Sequence, residues 1–201
     1  MSKRPAEVVI PRRPKRTSGV LYLFQQLKEL DTGSSPFIVD ADDADATTWS
    51  VGISSGSLRE HLSLPELAKQ LDLWGRVTQK QPVIVMEIRF PQDYPLSVPF
   101  LRMVRPRFKW HTGHVTIGGS MCTELLTPSG WVAMSVHALF LTVCQMFREG
   151  EAKIQTTPDE HCARPLVDYD EREAREAYQR VAAFHGWSTV AKAAPSARIK
   201  M

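Results

Sequence analysis

The sequence predicts an α+β domain: an N-terminal helix, an antiparallel four-stranded meander, a central buried helix and a C-terminal helix. Three observations predict it. Strand-like runs gather in the first half of the chain, the longest apolar helical period follows them, and a second helical period closes the sequence. Gathered strands with segregated helices mark this class, whereas strict strand–helix alternation would mark a parallel sheet.

The elements follow in order. Residues 1 to 16 contain Pro5, Pro11 and Pro14 and read as a basic, disordered arm, because proline removes a donor and constrains its neighbour. Thr17 or Ser18 can cap a helix that begins near Gly19, with Leu23, Leu27 and Leu30 on one face and Val20 and Phe24 beside them. Gly33 to Pro36 ends it. Phe37 to Ala41 reads as a short strand, Asp40, Asp42, Asp43 and Asp45 as an acidic turn, and Trp49, Val51 and Ile53 alternate as a second strand.

Ser54 to Ser57 reads as a flexible loop. Ser63 and Glu66 have capping-box spacing, and Leu64, Leu67 and Leu71 predict a short helix that ends before Gly75. Pro82 to Phe90 is the clearest strand, with Val83, Ile84, Val85, Met86 and Ile88 suited to a buried pleat. A turn at Asp93 to Pro95 leads to a fourth strand, Phe100 to Val104.

Residues 106 to 121 lack a period, and Gly113, Gly118 and Gly119 permit irregular backbone. From Met134, apolar residues recur at Val136, Leu139, Phe140, Val143, Cys144 and Phe147, the pattern of a buried helix. The last helix opens at Asp168 to Glu173, whose acidic side chains suit a helix N-terminus, and stops at Gly186. The boundaries are therefore an arm at 1–16, a domain at 17–190 and a disordered tail at 191–201.

Composition narrows the function classes. Hydrophobic residues make up 43% of the 201, enough for a core, yet no run approaches the roughly 18 apolar residues of a membrane span. No apolar block with a cleavage site follows the basic N-terminus, which argues against a secretory signal. Three cysteines without paired spacing point to a reducing compartment, cytoplasm or nucleus. The net charge of +3 is uneven: six basic residues against one acidic in the arm give about +5 there and leave about −2 elsewhere. A nucleic-acid binder would spread basic and aromatic residues over its folded surface, so nucleic acid is disfavoured as a partner. The arm suits an acidic protein, RNA or an import receptor, or is simply solvated.

Among the cysteines, Cys144 lies on the apolar helical face and reads as a small hydrophobe. Cys162 lies in a polar connection. Cys122 follows Gly118-Gly119-Ser120-Met121 in irregular chain, where functional groups tend to sit. His111, His114 and Cys122 lack a fourth ligand at a zinc spacing, and a cysteine–histidine hydrolase would need an orienting Asn or Asp that nothing marks. No metal or cofactor is implied.

Longer motifs decide between these readings. Phe90 to Phe100 reads Phe-Pro-Gln-Asp-Tyr-Pro-Leu-Ser-Val-Pro-Phe, and Gly118 to Leu126 reads Gly-Gly-Ser-Met-Cys-Thr-Glu-Leu-Leu, followed by Gly130-Trp131 and the buried helix. Together these resemble the ubiquitin-conjugating enzyme family: its proline-rich turn, its active-site cysteine with the Leu-rich segment after it, and its domain tryptophan. The likeness is strongest to the Q class, which also has a glycine-rich approach to the cysteine and an ending like Gly186-Trp187-Ser188-Thr189. It covers roughly Thr17 to Val190.

The resemblance implies the ubiquitin-conjugating fold and a transferase, in an ATP-dependent pathway, that carries ubiquitin or a related modifier as a thioester on Cys122. Its partners would be ubiquitin, the activating enzyme and a ligase. Thr112-Gly113-His114 stands where most of the family has His-Pro-Asn, so His114 takes the asparagine's place, as oxyanion donor or as a prop for the loop. Backbone amides at Gly118 and Gly119 are a competing donor set. Glu124 would orient or deprotonate an incoming lysine, or be a plain surface carboxylate, and Trp131 would wall the site or serve the core. Leu96, Val132 and Ala133 would face the ligase, and Arg12, Arg13, Lys15 and Arg16 the activating enzyme. The stretch from Ser57 to Thr78 is long for a strand connection and would add a class-specific contact. A catalytically silent, ubiquitin-binding variant of the same fold is the alternative.

Overall fold

The computed structural model of the chain describes residues 18–31, 35–41 and 45–187. Helix α1, Ser18–Leu30, turns Leu23, Gln26 and Leu30 inward, with Leu27 packed partly against them. Phe24, expected beside this face, lies more outward, because the residue after Leu23 sits about 100° around the helix. Buried Gln26 ties two helices together. Its Oε1 accepts the Val136 N–H at 2.9 Å and its Nε2 donates to Glu29 at 2.8 Å. One of the orphan donors at a later helix's start is thus satisfied from α1.

Strands β1 (Ile38–Ala41), β2 (Thr48–Ser54), β3 (Val83–Arg89) and β4 (Phe100–Arg105) form one antiparallel sheet in chain order. Period two puts Trp49, Val51 and Ile53, then Ile84, Met86 and Ile88, then Leu101 and Met103 in the core. Helix α4, Val136–Glu149, capped by the Ser135 hydroxyl, adds Leu139, Phe140, Val143, Cys144 and Phe147 to the same core. This is the α+β arrangement expected from the sequence.

The connection between β2 and β3 departs from expectation in three places. Ser54 to Ser57 is not a loop: the Ser54 hydroxyl accepts the Ser57 N–H at 3.0 Å and starts helix α2, Ser55–Glu60. Serine is as apt for a cap as for a loop, and composition alone does not separate the two. The Ser63–Glu66 capping box does not form. Ser63 takes φ +53, and helix α3, Pro65–Thr78, begins after Leu64 with no side-chain cap. Nor does α3 stop at Gly75, which is buried where the chain returns past Lys80 and Pro82. The final helix α5, Glu171–His185, behaves as expected: Asp170 and Glu173 form a reciprocal capping box and Gly186 closes it at φ +68.

The sheet's other face carries a network of ion pairs beside the Phe100 ring. Glu87 and Arg102 stand opposite one another in register and pair at 2.9 Å. Arg89 joins Glu87 to Glu171, which also holds Arg175, while the Arg175 guanidinium lies 4.5 Å from the Phe100 ring centre. Helix α5 is thereby fixed over β3 and β4. No helix among the described residues is long and apolar enough to cross a membrane. The basic arm with Arg12, Arg13, Lys15 and Arg16, and the tail at 191–201, lie outside the described residues.

Candidate active site

The irregular stretch before Cys122 is a small hairpin. Val115 pairs with Met121, the Thr116 N–H donates to the Ser120 carbonyl at 2.8 Å, and the Cys122 N–H donates to the His114 carbonyl at 2.7 Å. Its returning limb extends the sheet beside β4, with Ser120 bridged to Arg102 and the Met103 N–H donating to the Gly119 carbonyl at 2.7 Å. The hydroxyls of Thr116 and Ser120, both buried, lie 2.8 Å apart and close the hairpin from within.

Both glycines of the turn are needed for what packs against them. Gly119 has φ +91, and a Cβ there would come within 2.7 Å of the Tyr169 ring. A Cβ at Gly118 would strike the Glu173 carbonyl and the Ala177 methyl of α5. The Gly119 N–H is already donated to Thr116, at 2.9 Å, so as an oxyanion donor it would first have to leave the turn.

Cys122 is free and half-buried at the hairpin's end. Burial pushes its thiol above the ordinary value. Cys144 is buried in the core, and burial pushes its thiol up to about 12 against the opposing charge of Arg148. Cys162 is half-buried in the 159–162 turn, where its N–H donates to Asp159 at 2.7 Å. Among the described residues no cluster of three or more His, Cys, Asp or Glu side chains could hold a metal ion.

The remaining candidates fall into separate places. His114 contributes its carbonyl to Cys122, at φ +56, while its exposed imidazole lies near Gly150 at the end of α4. Glu124 is exposed and opens a short 3-10 helix, Glu124–Leu126, where its carbonyl accepts the Thr127 N–H at 2.9 Å. The Trp131 indole donates to the Pro95 carbonyl at 2.8 Å and its ring tilts against Tyr94, which makes it a clasp between two turns. That clasp brings together Leu96, 77% exposed, and Val132, 66% exposed, with exposed Ala133 beside it.

Sequence reasoning missed Tyr169, which lies beneath Gly119 and holds the cysteine hairpin from outside, and Tyr178, whose hydroxyl donates to the Leu126 carbonyl at 3.3 Å in the turn after it. Neither carries a local signal, because each acts on a segment distant in the chain.

No family model matches the chain. It is 27% identical over 191 residues to a Q-like ubiquitin-conjugating enzyme protein of Drosophila melanogaster, covering 92% of this chain and 56% of that one. It is also 28% identical over 134 residues to a human Q-like ubiquitin-conjugating enzyme protein, covering 64% of this chain and 80% of that one. The curated relatives it resembles are thus named ubiquitin-conjugating enzymes or proteins like them. These relatives are of the Q class, although the chain spans little more than half the length of the fly protein. Among solved structures it is similar to human ubiquitin-conjugating enzyme E2 G1, at 24% identity and a TM-score of 0.47, over 66% of this chain and 96% of that one.

Proposed function

We propose that this chain accepts ubiquitin as a thioester on Cys122 and passes it to a substrate amine, usually with a ligase. The observation that carries the reading is the setting of Cys122: a free, half-buried thiol at the end of a braced hairpin, in a chain whose relatives are named ubiquitin-conjugating enzymes. Neither other cysteine has such a setting, one lying in the core and one in a polar turn.

In the first step the Cys122 sulfur attacks the thioester carbonyl carbon on the activating enzyme. A new C–S bond forms, the old one breaks, and the activating enzyme's sulfur leaves with the proton balance of a thiol exchange. In the second step a substrate amine attacks the Cys122 thioester carbonyl, the C–N bond forms, the C–S bond breaks, and the amine's surplus proton passes to solvent or to the departing Cys122 thiolate. An unperturbed thiol of pKa about 8.5 is a few per cent ionised at neutral pH, and burial of Cys122 lowers that share. Loading is therefore expected to quicken as pH rises above neutral. The tetrahedral intermediate of the second step needs a donor for its oxyanion, typically about 3 kcal/mol of transition-state stabilisation.

His114 is proposed as that donor through its side chain, with loop support through its carbonyl as the competing role. His114→Ala would slow discharge to an amine while leaving loading intact, and unchanged discharge would remove the imidazole from the mechanism. Exposed Leu96, Val132 and Ala133, held together by Trp131, supply an apolar surface for a ligase. The basic arm and α1 would meet the activating enzyme, and the free cysteines suit a cytoplasmic or nuclear setting.

A charging assay tests the reading: the protein with activating enzyme, ATP and ubiquitin, beside Cys122→Ala, on a non-reducing gel. A reductant-sensitive adduct in the wild type alone is expected. No adduct with ubiquitin or any related modifier would leave a silent member of the fold.

A further inference from the structure

Tyr169 is 4% exposed and is tied down at every polar atom of its backbone. Its N–H donates to the Val104 carbonyl at 2.8 Å, and its carbonyl accepts the Arg102 guanidinium at 3.3 Å. Its hydroxyl accepts the Phe108 N–H at 2.9 Å. The Arg107 guanidinium sits 4.3 Å from the ring centre and is itself held by Glu173 at 2.6 Å. The ring cannot move without breaking bonds to two parts of the chain, β4 and the segment after it.

This fixed ring lies directly against the Gly119 turn. A Cβ at Gly119 would stand 2.7 Å from the ring's Cγ and 2.9 Å from both Cδ atoms, so the glycine approaches the face of the ring, not its edge. Gly119 in turn gives its carbonyl to Met103 and its N–H to Thr116, which leaves the turn one position to occupy. The cysteine follows three residues later on the same short limb. We propose that Tyr169 is the positioning residue of the nucleophile: its ring is the floor on which the Gly119 turn rests, and it thereby sets where Cys122 presents its sulfur. The inference rests on Cys122 being the nucleophile, and it assigns the anchoring of the catalytic hairpin to the segment that leads into α5.

The test uses the full chain with Cys162→Ser, so that alkylation by iodoacetamide reports Cys122 while Cys144 stays buried. Alkylation rates are measured against pH for Tyr169→Phe, Tyr169→Leu and Gly119→Ala, with a melting curve for each. Tyr169→Phe keeps the ring on Gly119 and is expected to keep the unsubstituted profile. Tyr169→Leu removes the flat ring, and Gly119→Ala pushes the turn off it. Each should release the thiol from its half-buried seat and raise its alkylation at neutral pH several-fold, because a thiol freed from burial is more ionised and more accessible. Folded Tyr169→Leu and Gly119→Ala proteins with the unsubstituted profile would overturn the proposal and leave Tyr169 a core residue. A changed profile in Tyr169→Phe would also overturn it, since the hydroxyl and not the ring would then be responsible. If Tyr169→Leu does not fold, Gly119→Ala decides. The readout needs no ubiquitin: a chain that fails to load loses the proposed function, while the alkylation contrast still answers whether the ring positions the thiol.

Discussion

The two faces of the sheet are held by different physics. The inner face presents Ile84, Met86, Ile88, Leu101 and Met103 to a core completed by α4, and nothing on it is charged. The outer face presents Glu87, Arg89 and Arg102 to the segment carrying Asp168, Tyr169 and α5. Burial of each large apolar side chain stabilises by about 1.5–3 kcal/mol, while exposed ion pairs contribute about 0–1 kcal/mol each. The inner face therefore supplies most of the stability. The outer face supplies geometry: directional bonds that lay α5 and Tyr169 over the Cys122 hairpin.

Core truncation should have the largest effect. Phe140→Ala, within the fully buried layer, is expected to cost about 3–5 kcal/mol in chemical denaturation. A cost near 1 kcal/mol would mean that the inner face is not the main source of stability. On the outer face, Glu87→Gln leaves the nearly buried Arg102 without its carboxylate, and about 1.5–3 kcal/mol should be lost, since bonds to charged groups have that worth. Cys122 alkylation should change with it, because Arg102 also holds the Tyr169 carbonyl.

Alkaline pH separates the faces differently. Cys144 belongs to the core, and burial raises its thiol to about 12. Its contribution to stability is intact below the unfolded thiol value of about 8.5 and is lost as pH rises towards 12, with a slope of up to about 1.4 kcal/mol per pH unit. Cys144→Ala should flatten that part of the curve, as measured by urea melts between about pH 8 and 10.5; an unchanged slope would place the loss elsewhere. Helix caps give the smallest contrast. Asp170→Ala should cost about 1 kcal/mol, because its capping box forms, and Ser63→Ala should stay within about 0.5 kcal/mol, because that one does not.

That last pair also shows what was legible in the sequence. Asp170 with Glu173 and Ser63 with Glu66 carry the same spacing signal, yet Ser63 sits in left-handed backbone ahead of Pro65 and cannot cap. Periodicity revealed β3, α4 and α5 because each buries one face along its own length. It did not reveal α2, which depends on a single serine cap, or the continuation of α3 through Gly75, which depends on the return of the chain at Pro82. Within the candidate site, Cys122 and its glycines were legible as a motif. Tyr169 and Arg102 were not, because their relation to the hairpin exists only after the chain has folded.

The most direct test of the central claim is the site and bond type of the ubiquitin adduct. Charging of Cys122→Ser, followed by intact and peptide mass measurement after thiol reduction, should find an oxyester at residue 122 that survives reductant and is cleaved by hydroxide. An adduct on Cys162 or on a lysine, or one that persists in Cys122→Ala, would contradict the account.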